Sequence, residues 1–243
     1  MKIAGAAGLV GAAAVAVVHA APALGGVSPI GVRFTPALVG VGRPGHVALT
    51  FDDGPDAAST PRFLEALDAL DWRATFFMLG EMTRRDPGLA RAVAEAGHEI
   101  AVHGDVHGNM LRRTPRHTAD DITRAYDTVA DATGIEPRWF RPPFGISSYA
   151  SLRKARNLGM TTVLWTSWGR DWRREATPAT VVADVTRRYV DGGTVLLHDS
   201  DCTSYPGSWH SSLGALPRLA EEFTARGLEV GTVGAHGIDA HAA

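Results

Sequence analysis

The feature that most constrains this chain is a series of short, largely apolar runs, each bounded by Gly, Pro or a helix-capping residue and separated by amphipathic segments. The runs are His46–Phe51, Ala74–Leu79, Glu99–His103, Arg138–Arg141, Thr162–Ser167, Thr194–His198 and Glu229–Val233. A strand with one wet face alternates apolar and polar residues, whereas a parallel strand buried on both faces reads as a continuous apolar run. Between the runs, Thr60-Pro61, Asp86-Pro87 and Thr177-Pro178 each place a capping residue before a proline at the first helical position. Gly97, Gly134, Gly159 and Gly227 supply the matching helix stops. Seven strands alternating with helices predict an α/β fold around a parallel sheet. Periodicity alone does not separate a closed barrel from an open, doubly wound sheet.

Length and charge narrow the function. At 243 residues the chain is long enough for one substantial core and short for two. A formal charge of −2 gives no long-range attraction to nucleic acid or to an anionic membrane, and no stable protein partner is inferred. The cluster Arg112, Arg113 and Arg116 reads as a solvated face. A single cysteine, Cys202, excludes a disulfide framework and a multi-cysteine zinc site; a buried or incidental thiol is expected. Lys2, the Ala/Gly/Val-rich run from Ile3 to Val18 and the small residues after it suggest a secretory leader, hence an exported or envelope protein. A cytoplasmic protein with an Ala-rich terminal helix is the alternative. The expected organisation is leader and connector over 1–44, a catalytic domain over 45–235 and a tail over 236–243.

The polar residues fall at one place in this pattern. Asp52 and Asp53 follow the first run, and His103 ends the third, with His107 just after it. Arg141 ends the fourth, Asp171 lies past the fifth and His198 ends the sixth. In a parallel sheet these positions share the carboxyl edge, where such folds build their sites. Adjacent carboxylates in Asp52-Asp53-Gly54-Pro55 can diverge, one to a metal and one left as a base; an Asp-rich turn is the bland alternative. His103 and His107, four residues apart, can hold the same ion. With one Asp they make a facial site that leaves positions open for water and substrate. Arg141 in Arg141-Pro142-Pro143-Phe144-Gly145 is a fork-shaped donor suited to a carboxylate. Taken alone, His198 would read as a core histidine and Asp171-Trp172 as a turn with a packed ring.

Together the segments Thr50–Pro55, His103–His107, Arg141–Gly145, Asp171-Trp172 and Leu196–Asp199 resemble the polysaccharide deacetylase family, also called carbohydrate esterase family 4, over roughly His46 to Val233. The resemblance implies an irregular (β/α) barrel of about seven parallel strands. It implies a divalent metal, with Zn²⁺ expected and Co²⁺, Ni²⁺ or Mn²⁺ as alternatives, held by Asp53, His103 and His107. It makes Asp52 the catalytic base, oriented by Arg141, and His198 the general acid, tuned by Asp171. Phe144, through its backbone N–H, would help to hold the developing oxyanion, and Trp168 and Trp172 would line the substrate cleft. The implied reaction removes N-acetyl groups, with O-acetyl as a lesser option, from a glycan such as peptidoglycan or a chitin-like chain. A related amidohydrolase or deformylase acting on a small molecule or sugar-lipid, and a non-catalytic glycan-binding homologue, are the rival readings.

Two positions depart from the family pattern. Gly104 stands where Ser or Thr usually follows the first His, so a bracing hydroxyl is missing; Asp105 is the candidate substitute. Trp168 stands where an Asp usually opens the fourth motif, and could stack on a sugar. Trp209 and His210 are placed on the rim from sequence proximity alone.

Overall fold

A computed structural model of the chain describes residues 19–25 and 29–238. The leader-like run Ile3–Val18 lies outside the described residues. Among those described, no helix is long and apolar enough to cross a membrane. Eight strands form one parallel sheet: β1 (His46–Asp52), β2 (Thr75–Met78), β3 (Glu99–Val102), β4 (Trp139–Phe140), β5 (Thr161–Thr162), β6 (Ser167–Trp168), β7 (Thr194–His198) and β8 (Glu229–Gly231). Their spatial order is β5-β4-β3-β2-β1-β7-β6, with β8 paired to the first half of β1. The α-helices are α1 (Pro29–Phe34), α2 (Thr60–Ala69), α3 (Gly80–Arg85), α4 (Pro87–Glu95), α5 (Pro115–Thr133), α6 (Tyr149–Asn157), α7 (Pro178–Arg187) and α8 (Trp209–Ala225).

Two of the three signposted helix starts form as expected. The Asp86 carboxylate accepts from Leu89 N–H at 2.9 Å to start α4. Thr177 and Thr180 cap each other reciprocally at the start of α7. Ser59, not Thr60, is the residue ahead of α2, and the Thr60 hydroxyl turns instead to the Asp199 carboxylate.

Strand alternation sorts the core into layers. Val47, Leu49 and Phe51 of β1 pack with Phe63, Leu67, Leu216, Leu219 and Phe223 of the helices. Ala48 points the other way, into a second cluster with Phe77, Ala101, Trp139, Val163, Val233 and Ile238. Thr50 and Asp52 therefore share the interior face with Ala48. The interior is filled by side chains, and its polar end is the mouth.

The expected single strand over 162–167 is instead two short strands at opposite ends of the sheet, which raises the count from seven to eight. Val163 N–H still donates to Phe140 O of β4, while Thr166 N–H already donates to Thr194 O at the start of β7. Four residues thus carry the chain from one edge of the sheet to the other and close the barrel covalently. Their freed carbonyls need partners. Arg141 supplies them, donating to Val163 O at 3.2 Å and Leu164 O at 2.8 Å. The segment read as connector also packs on this seam: Leu38 O accepts from Leu164 N–H, and Gly40 O from the Thr194 hydroxyl. At the other end of the chain the packing continues to Ile238, past the boundary at 235 expected for the domain.

Candidate active site

Asp52 and His198 are register partners at the ends of the adjacent parallel strands β1 and β7. Parallel neighbours in register project to the same face, so base and acid candidates enter the mouth side by side. Asp53 follows with φ 80, in the left-handed region that costs a non-glycine residue energy. This turn is what makes two consecutive carboxylates diverge.

Ligand atoms of Asp53, His103 and His107 all lie within 4.8 Å of one another. Asp53 Oδ1 is 3.6 Å from His103 Nε2 and 3.7 Å from His107 Nε2. Three observations fit this trio to a cation. Asp53 Oδ1 is buried without a hydrogen-bond partner, a state that costs free energy unless something positive meets it. Asp53 Oδ2, by contrast, accepts from the Thr203 hydroxyl at 2.6 Å, which fixes the carboxylate's rotation. His103 Nδ1 donates to Arg141 O at 2.8 Å, leaving the Nε2 lone pair turned to the site, as metal-bound imidazoles usually are held. Burial pushes His103 down to about 3 and lowers His107 as well, so both rings are neutral at physiological pH. The trio could hold a metal ion.

Asp52 is 2 % exposed and is gripped by the fully buried Arg141 through Nη1–Oδ1 at 2.7 Å. The same Nη1 donates to Thr50 Oγ1 at 2.8 Å, and the guanidinium carbon sits 3.9 Å over the Phe77 ring. The other oxygen of Asp52 is 3.6 Å from His103 Nε2 and points to the ligand trio. Burial raises the Asp52 pKa, an effect that the Arg141 charge only partly offsets. A carboxylate raised in this way but kept ionised is a stronger base than a surface Asp.

Across the mouth, Asp171 holds His198 at two points, the ring Nδ1 and the backbone N–H. Burial alone would lower His198, but Asp171 beside it, helped by Asp53 and Asp52, carries it up to about 10. The imidazole is therefore a cation that can donate a proton. Burial would raise Asp171, yet His198 and the Ser212 hydroxyl hold it below the usual carboxylate value. Trp172 stands perpendicular to the His198 ring at 5.7 Å and is 37 % exposed, beside the mouth. Phe144, with φ 61, sets its half-exposed ring edge-on to His107 at 4.3 Å.

Other expected residues are placed differently. The Trp168 ring is stacked by the Arg188 guanidinium at 4.1 Å and meets Trp165 at 6.5 Å, so one of its faces is already covered. Trp209 is 7 % exposed and belongs to the helix-side core, with His210 stacked on it, rather than to the rim. Cys202 is exposed, not buried, and turns its sulfur toward Asp53 O at 3.6 Å; desolvation of the sulfur, then the Asp53 charge, push the thiol up to about 12, so it is protonated.

Gly104 has φ 98, and a Cβ there would come within 3.2 Å of Asp121 Oδ2. The bracing that a hydroxyl would have given comes from two carboxylates. Asp121 accepts from Asp105 N–H at 3.0 Å. The Asp105 side chain, as the expected substitute, reaches Arg84 at 2.5 Å and Arg124 at 3.2 Å, tying the loop to α3 and α5.

Sequence reasoning missed Thr50, Thr203, Ser212 and Asp199. Thr50 was findable, being two residues before Asp52 on a strand and so on the same face. Asp199 lies against Gly54, where its carboxylate occupies the space a Cβ would need. Burial, against the Thr60 hydroxyl, pushes it up to about 7. Thr203 and Ser212 carry no spacing signal, because loop and helix packing bring them in.

A buried carboxylate and a charged imidazole flanking an Asp-His-His trio that could hold a metal, at the carboxyl mouth of a parallel barrel, are the groups that metal-assisted hydrolysis uses. The family model for polysaccharide deacetylases matches residues 40–163, and this chain belongs to that family. A peptidoglycan-N-acetylglucosamine deacetylase of Bacillus cereus is 34% identical over 189 residues, which are 77% of this chain and 85% of that protein. The peptidoglycan-N-acetylglucosamine deacetylase PgdA of Listeria monocytogenes is 32% identical over 73% of this chain, but the match spans only 37% of its own length. Among solved structures, a family 4 carbohydrate esterase from Streptomyces lividans in complex with acetate superposes with a TM-score of 0.69 at 32% identity, covering 77% of this chain and 92% of that one.

Proposed function

We propose that this protein hydrolyses N-acetyl groups on a glycan polymer, peptidoglycan or a chitin-like chain, outside the cytoplasm. The observation that carries this reading is that His103 Nε2 lies 3.6 Å from both Asp52 Oδ2 and Asp53 Oδ1, so base and metal ligands share one reaction space. Asp53, His103 and His107 would hold the cation, and one carboxylate with two imidazoles suits Zn²⁺. When bound, it supplies Lewis acidity toward the acetyl oxygen and lowers the pKa of water. Asp52, fixed by Arg141, takes the proton from the attacking water. The Phe144 N–H would donate to the developing oxyanion. His198, already protonated and oriented by Asp171, gives its proton to the departing sugar amine, which would leave poorly as an anion. Trp172 offers an aromatic face to the sugar beside His198.

Acetate release from N-acetylated glycans, O-acetylated xylan and small amides, measured together with the metal content of the protein, tests the reading. Metal-dependent release from the N-acetyl glycans is expected. Release only from small amides, or full activity after chelation, would overturn it.

A further inference from the structure

A cleft of about 800 Å³ runs between the α5 start and α6, lined by Arg112, Arg113, Tyr149, Arg153, Lys154 and Asn157 among others. Its walls are the two chain segments that leave the metal rim. One runs from His107 through Gly108, against which the Arg113 guanidinium is pressed. The other runs from Phe144, whose ring touches His107, to Tyr149 at the head of α6. The cleft thus lies where these two segments arrive, beside the mouth and lined by none of its candidate ligands.

Its charge is uncompensated. Arg113 is committed to Asp121 at 2.7 Å. Arg112, Arg153 and Lys154 take part in no ion pair among the described residues, and no acidic residue lines the cleft with them. No residue of α6 is acidic. Arg116, from the cluster read as a solvated face, does behave so: its side chain is 94% exposed and 3.8 Å from Asp120. Its neighbours Arg112 and Arg113 turn into the cleft and meet two cations from 40 residues further along.

We infer that this cleft is an anion subsite which binds carboxylate substituents of the glycan strand being deacetylated, an inference that rests on the glycan reading above. A strand longer than the mouth must run on over the surface beside it, and this cleft is reached from two segments of the rim. A neutral chitin-like chain offers three unpaired cations nothing, while a peptidoglycan strand carries lactyl and peptide carboxylates beside its acetamido groups. Lys and Arg meet such groups by charge-assisted hydrogen bonds, and Tyr149, 51 % exposed, adds a ring for a sugar face.

The test compares wild type with the triple variants Arg112→Gln/Arg153→Gln/Lys154→Gln and Arg112→Glu/Arg153→Glu/Lys154→Glu. Two substrates are used: a neutral N-acetylchitooligosaccharide, and peptidoglycan oligosaccharides freed of phosphodiester polymers. For the carboxylated strand, KM should rise roughly tenfold in the Gln variant and further in the Glu variant, with kcat held, and the difference should shrink as salt rises. KM for the neutral oligomer should stay within about twofold. Equal losses on both substrates, or no loss on either, would overturn the proposal. If wild type releases acetate from neither substrate, the deacetylase reading fails by itself. Calorimetric binding of the carboxylated oligosaccharide then decides the cleft, and equal affinity of wild type and the Glu variant rejects it.

Discussion

Asp171 grips His198 at two points: its Oδ1 lies 2.9 Å from the imidazole Nδ1, and its Oδ2 accepts the backbone N–H of the same residue at 2.7 Å. The first contact fixes the ring so that Nε2–H faces the mouth. The second fixes the end of β7 that carries the ring. One carboxylate thereby sets the position, tautomer and charge of the candidate acid, much as an orienting carboxylate does for a catalytic imidazole elsewhere.

Replacing Asp171 with Asn removes the charge and keeps the shape. His198 then loses its main support against burial, and the alkaline limb of kcat/KM against pH should move down by about one to three units. An unmoved limb would disprove the coupling. The same pair gives a stability signature. A group whose pKa is raised on folding contributes fully below its unfolded value, about 6.5 for His, and loses that contribution as pH rises through the folded value, here about 10. Wild type should therefore lose stability to urea between neutral and alkaline pH by more than Asp171→Asn does.

Asp52→Asn and His103→Ala should separate base from ligand. The first leaves the trio intact, so bound metal should persist while acetate release falls roughly 10²–10⁴-fold. The second removes one of three ligands, and both metal and activity should go. Metal analysis of each variant beside the acetate assay checks this; an active Asp52→Asn protein would remove the base assignment.

Arg141→Met tests the seam. Arg141 satisfies Asp52, Thr50, Val163 O and Leu164 O at once while fully buried. Losing it strands a buried carboxylate and two carbonyls, a change expected to cost about 3–5 kcal/mol in urea denaturation. Arg141→Met/Asp52→Asn should recover part of that loss without recovering activity, since the stranded charge is then gone. A double variant no more stable than the single one would show that the carbonyl contacts, not the ion pair, dominate.

Gly104→Ala should destabilise by about 1–2 kcal/mol, through the left-handed φ and the crowding on Asp121. Because Gly104 directly follows His103, weaker metal retention is expected alongside a lower Tm. A neutral substitution, read by thermal melt and metal titration, would place the loop's rigidity elsewhere.

How much of this was legible beforehand differs from residue to residue. Asp52, Asp53, His103, Arg141 and His198 each sit at or just past the end of an apolar run, and chain direction alone sends all such ends of a parallel sheet to one edge. That is why the mouth could be drawn from the sequence. The run from 162 to 167 was misread because four residues at a barrel seam and four residues in a buried strand have the same apolar composition. Trp209 was misplaced because sequence proximity to a motif says nothing about which face a ring turns to.

The sequence by itself determined most of the strands, most of the helix caps and the set of titratable groups at the mouth, since these follow from local periodicity and from backbone chemistry. Tertiary structure decided what those groups are: which Asp oxygen stays unpartnered, which imidazole is neutral and which is charged, and that Arg112 and Arg153 share a cleft. Burial and charge proximity set those properties. Both depend on residues far apart in the chain, whose meeting no local pattern encodes.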